Sequence, residues 1–173
     1  MMSATSPLAR IPVGVVIERR KAASPWIEFT WYPLAVLPGR PEAAPWSPLS
    51  RDATAATYYV GPSEIELYRT DTGSYRHNLA SESPSLWIVL RPTGNEPPFE
   101  LQTVTADPAE GESHTQASND LVGAVPMPTA IRQIVAEFVA RHHVEQSFHK
   151  RKREHADPEA LARPRTPGRK QAQ

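Results

Sequence analysis

Residues Pro84 to Arg91 read PSLWIVLR, and within them Leu86 to Leu90 are apolar on both faces of an extended chain, Trp87 and Val89 opposing Leu86, Ile88 and Leu90. A run this short without polar alternation predicts a strand buried on both sides and therefore central in a sheet. Outward from it, Phe99 to Thr105 reads as the next strand, closed by Asp107. Upstream, Glu64 to Arg69 and Tyr75 to Leu79 read as a hairpin, with Asp71, Thr72, Gly73 and Ser74 supplying the turn. Further toward the N-terminus, Ile11, Val13, Val15 and Ile17 alternate with Pro12, Gly14, Val16 and Glu18, while Trp26 to Tyr32 places Ile27, Phe29 and Trp31 on one face. These predict an antiparallel pair that bends where Pro33 withholds a ladder donor. Thr57 to Val60 adds a short strand, and Leu121 to Val125 an edge strand. Between them Pro38 to Ala56, punctuated by Pro38, Pro41, Pro45 and Pro48, reads as a long loop anchored by Trp46.

Two helices complete the pattern. Asp107, Pro108 and Glu110 combine a capping carboxylate, a proline at the first helical position and a Glu able to reach back to the cap. After Pro126, Met127 and Pro128 a longer helix runs to Arg153, with Ile131, Ile134, Val135 and Phe138 as its apolar stripe. The expected fold is a single α+β domain over residues 10–153. About seven mainly antiparallel strands form a curved sheet or partly open barrel covered by the C-terminal helix, an element order shared with pleckstrin-like domains. Residues 1–9 are expected to be flexible and 154–173 a disordered basic tail.

Composition limits the chemistry. The chain has 173 residues with 19 prolines and no cysteine, which rules out long helical bundles, disulfides, thiolate metal sites and a Cys nucleophile. No stretch approaches a membrane span and the N-terminus lacks the apolar core of a signal peptide, so a cytoplasmic location without membrane attachment is expected. The formal net charge of zero conceals a division: residues 1–140 carry 10 basic against 15 acidic side chains, and residues 141–173 carry 9 against 4. Of 13 aromatic residues, 11 lie between Trp26 and Phe99, and those of the first hairpin are assigned to the core.

Phosphate loops, dinucleotide fingerprints, nucleophile elbows and zinc-protease motifs are all missing from the sequence. Glu64 and Glu66 share a strand face and read as a solvated surface pair. His142, Glu145 and His149 fall on one face of the last helix at metal-ligand spacing, but the cationic run Lys150, Arg151, Lys152 and Arg153 follows at once. No cofactor is expected. Aromatic and arginine side chains are common interface anchors, so Tyr68, Arg69, Tyr75 and Arg76 together with Lys150 to Arg153 are the candidate partner-binding surface. The same basic run, with Arg163, Arg165, Arg169 and Lys170 beyond it, offers the alternative of nucleic-acid binding.

Four stretches, Tyr75 to Leu79 (YRHNL), Pro84 to Arg91 (PSLWIVLR), Val125 to Pro128 (VPMP) and Phe138 to Arg153 (FVARHHVEQSFHKRKR), resemble a family of short proteobacterial proteins known as a domain of unknown function. The resemblance covers about residues 10–153. Several members of that family are encoded beside subunits and maturation factors of molybdenum-dependent formate dehydrogenase. The resemblance therefore implies a non-catalytic accessory protein that assists assembly or cofactor loading of that enzyme, with one of its subunits or maturation factors as partner. Some similar proteins are labelled as acting in molybdopterin-guanine dinucleotide biosynthesis. This chain lacks the Gly-rich loop and the strand-helix alternation that a guanylyltransferase sheet requires.

Overall fold

A computed structural model describes residues 5–144. The first sheet is built on β1 (Ala9–Lys21), which pairs antiparallel with β2 (Phe29–Pro38) on one side and β4 (Ala55–Leu67) on the other, while β3 (Ser47–Arg51) adds an edge to β4. Ile11, Val13, Val15 and Ile17 all point into the core, as their alternation requires. The β1–β2 ladder slips between Val16 and Ile17, opposite Pro33, so the predicted bulge falls at the residue that cannot donate.

Three sequence expectations change here. Thr57 to Val60 and Glu64 to Arg69 are not separate strands; β4 runs through Gly61 and Pro62 by inserting an extra residue against β1, with Gly61 at φ 149°. The long proline-rich loop contains β3, which is preceded by Trp46 at φ 67°. The expected hairpin after Glu64 does not form. Leu67 ends β4, a 3₁₀ turn follows at Arg69–Asp71, and Thr72–Ala80 is a helix, α1. Its buried residues, Thr72, Tyr75 and Asn78, recur every three positions, a helical rather than a strand period. The residues read as a turn form its entry, where Thr72 Oγ1 donates to the Arg69 carbonyl at 3.2 Å.

The second sheet has β5 (Ser85–Pro92) at its centre between β6 (Phe99–Thr105) and β7 (Leu121–Pro126), and both pairings are antiparallel. Leu86, Ile88, Val89 and Leu90 are fully buried, which bears out the central placement. Between β6 and β7, α2 (Pro108–Ala117) starts where Asp107 Oδ1 accepts the Ala109 N–H at 2.9 Å. Glu110 does not close the expected box; it accepts from Thr105 Oγ1 at 2.6 Å, and that hydroxyl accepts the Asp107 N–H at 3.0 Å.

The seven described strands thus form two open sheets rather than one, and no closed barrel. At one seam Gly123 of β7 faces Pro33 of β2, whose ring leaves no room for a side chain and whose nitrogen offers no ladder bond. One hydrophobic cluster joins both sheets to the helices, from Val13 and Val15 through Leu86 and Ile88 to Tyr75 of α1 and Ile131 of α3 (Thr129–His142). On α3 the buried residues are Ile131, Val135, Phe138 and Val139, whereas Ile134, expected in the stripe, is 43 % exposed. The helix ends at His142, where His143 turns to an extended conformation, instead of continuing to Arg153.

Candidate functional site

Near the ends of β1, β2 and β4, on the same face of the first sheet as Ile17, aromatic side chains gather that the core only partly encloses. Trp31 of β2 is the hub. Its ring lies 5.7 Å from Phe99, 5.8 Å from Tyr58 and 6.1 Å from Trp46 between centroids, and Trp46 is 6.2 Å from Tyr58. All four rings are partly exposed, packing against the core on one side and facing solvent on the other. Strand pairing sets Arg19 directly across from Trp31. Its guanidinium carbon sits 4.1 Å above the Phe29 centroid and 5.6 and 5.8 Å from those of Tyr58 and Trp31, a cation–π arrangement that holds a long flexible side chain flat.

These rings border an open cleft of about 470 Å³, walled by Arg19, Trp31, Trp46 and Tyr58 together with Pro45, Glu96, Pro97 and Pro98. Rings and prolines offer broad apolar surface at little conformational cost, and Arg19 and Glu96 add one charge of each sign. Such a lining suits binding of an extended apolar segment. The sequence reading assigned the Trp and Tyr residues of the first hairpin, Trp31 among them, to the core and took Trp46 as a loop anchor. The signal it lacked was the position of the two proline-bearing loops, 38–46 and 92–98, which bring Pro45, Pro97 and Pro98 to the cleft.

The residues singled out from sequence are distributed differently. Tyr75 is 1 % exposed and belongs to the interior, so it is no surface anchor; its hydroxyl accepts the Tyr68 N–H at 3.0 Å, and burial raises its pKa above the usual phenol range. Tyr68 turns its own hydroxyl to Glu66 at 2.5 Å, and donating to that carboxylate pushes its pKa up to about 12. Arg69 is exposed. Arg76 does approach the end of α3, its Nη1 lying 3.3 Å from His143 Nε2, while His143 Nδ1 meets Thr72 Oγ1 at 3.1 Å. The structure therefore brings α1 beside the end of α3. Lys150, Arg151, Lys152 and Arg153 lie outside the described residues, as do Glu145 and His149. Of that metal-ligand set only His142, the last residue of α3, is among the described residues.

Glu64 and Glu66 are engaged as a surface ion-pair network. Arg40 donates to Glu64 at 2.6 Å, and Arg10 lies 3.8 Å from Glu64 and 3.4 Å from Glu66. Among the described residues no helix is long and apolar enough to cross a membrane.

Comparison with known proteins finds one family model, described as a protein of unknown function (DUF3305), that matches residues 12–152. No curated protein and no solved structure matches the chain.

Proposed function

For a chain that belongs to the DUF3305 family of proteins of unknown function, we propose a non-catalytic binding role in which the aromatic cleft receives an extended segment of a partner protein. The observation that carries this reading is the half-open cluster of Trp31, Trp46, Tyr58 and Phe99 with Arg19 laid across its floor. Aromatic and arginine side chains contribute disproportionately to binding energy because they bury much area for few rotatable bonds. The genetic setting implied by the resemblance supports a partner from the formate dehydrogenase system, a subunit or a maturation factor, and a role in its assembly or cofactor loading.

The test is affinity purification of the tagged full-length chain from its own host during formate-dependent growth, beside a Trp46→Ala variant checked for folding by circular dichroism. Recovery of a dehydrogenase or maturation subunit with the wild type, and its loss with the variant, supports the proposal. Equal recovery with both removes the cleft from it. Recovery of neither subunit, with unchanged formate dehydrogenase activity in a deletion strain, ends it. Nucleic-acid binding through the basic C-terminal segment makes a different prediction: salt-sensitive RNA or DNA binding that disappears on truncation after Asp157.

A further inference from the structure

Directly beside the aromatic cleft, and sharing Arg19 with it, is a second depression of about 240 Å³ bordered by Arg19, Lys21 and Arg51 with Phe29 as its apolar wall. The sheet register brings these cations together. Lys21 and Arg19 are two residues apart on β1 and so point to the same face, while the β3–β4 turn is tied to the end of β1 where the Lys21 N–H donates to the Thr54 carbonyl at 2.9 Å. Arg51 stands at the start of that turn.

The charges at this depression are not balanced by ion pairs. Arg10, Arg20, Arg40 and Arg91 each pair with a carboxylate, whereas among the described residues Lys21 and Arg51 have no ion-pair partner. The acidic residue bordering the depression is Asp52, and its Oδ1 accepts from the Thr54 N–H at 2.7 Å, Thr54 Oγ1 at 3.0 Å and the Ala55 N–H at 2.8 Å. Its carboxylate is committed to its own turn. Glu28, in the β1–β2 connection, is exposed. That same connection carries Trp26, 92 % exposed, and Ile27, 57 % exposed.

We infer that Arg19, Lys21 and Arg51 form an acid-reading subsite, and that the segment bound in the aromatic cleft carries Asp or Glu side chains next to its apolar anchors. The inference rests on the cleft reading and deepens it: the cleft supplies area, and the cations select charge and fix direction along the groove. A carboxylate entering the depression meets a net positive site and exchanges water for charge-assisted hydrogen bonds.

Selection of a phage-displayed random-peptide library on the immobilised full-length chain tests this. Wild-type protein should enrich peptides with Asp or Glu beside Pro, Leu or aromatic residues. Changing the acids of an enriched peptide to amides should weaken its binding roughly tenfold or more, as loss of a charge-assisted hydrogen bond implies. The exposed double variant Lys21→Gln, Arg51→Gln should fold normally, still enrich apolar peptides and lose the acidic preference. Enrichment of neutral peptides by the wild type, or an acidic preference retained in the double variant, overturns the subsite and leaves the cleft standing. Enrichment that survives Trp46→Ala, or no enrichment at all, overturns the cleft and the subsite with it. Tighter binding of an oligo-dT strand than of any selected peptide, abolished by the double variant, overturns the acidic-segment assignment in favour of nucleic acid.

Discussion

Asn78 connects α1 to the second sheet through side-chain bonds alone. Its Nδ2 donates to the carbonyls of Ser85 and Ala106 at 2.8 and 2.9 Å, and its Oδ1 accepts the Ser85 N–H at 3.0 Å. At 3 % exposure, water cannot replace these partners. Asn78→Ala should therefore cost about 3 kcal/mol in denaturant unfolding, since it strands several buried backbone groups. Asn78→Asp should cost more at neutral pH, because it sets a carboxylate against two carbonyls. The folded-state pKa of that Asp would be raised, so the penalty should shrink as pH falls and the group protonates. Asp120 follows the opposite rule. Hydrogen bonds from Arg91 Nε and Nη2 at 3.1 and 3.3 Å hold its carboxyl below the usual range. Its contribution is complete above the ordinary carboxylate pKa of about 4 and is lost as pH drops through the depressed value. Thermal melts from pH 6 down to pH 2 should accordingly show a weaker acid dependence in Arg91→Gln than in the wild type.

Among the elements, α3 shows how a stripe can be legible in period and misplaced in phase. Ile131, Val135 and Phe138 are buried as their spacing requires, but Val139 rather than Ile134 completes the inner face. Phe138 also meets Tyr75 edge-on at 6.2 Å. Phe138→Ala should cost about 3 to 5 kcal/mol, while Ile134→Ala should change stability by less than about 1 kcal/mol, as expected of a partly exposed site; chemical denaturation of the two variants separates them. The failed hairpin has a different cause. Asp71 to Ser74 has genuine turn chemistry and Tyr75 to Leu79 is short enough to fit either period. What selects the helix is the partnership of Asn78 with Ser85 and Ala106, the latter 28 residues away, which no local window contains. By contrast β5, β6 and the Asp107 cap were readable because each is decided by its own side chains. The cleft was hidden for a related reason. An aromatic-rich sequence says that rings need shelter, but not that Trp31, Trp46 and Tyr58 find only partial shelter, at the margin of the core beside Pro97 and Pro98.

The molecule as a whole depends on two sheets approaching without sharing a ladder. At the seam of β2 and β7 a Cβ on Gly123 would stand 2.7 Å from Pro33 Cγ. Gly123→Ala should thus force the sheets apart at a cost of about 1 to 3 kcal/mol, visible as a lower melting temperature. The cleft sits on the same first sheet, with Pro97, Pro98 and Phe99 contributed from the second, so its shape is a property of the assembled pair. The central claim is that this cleft is where a partner protein binds. Its most direct test replaces Tyr58 with the photo-crosslinker p-benzoylphenylalanine in the full-length chain, with a second version carrying it at Glu137 on the exposed face of α3, and illuminates both in the native host. The account predicts a discrete adduct from position 58, containing a formate dehydrogenase or maturation subunit, and none of that adduct from position 137. The same adduct from position 137, or none from position 58, would contradict it.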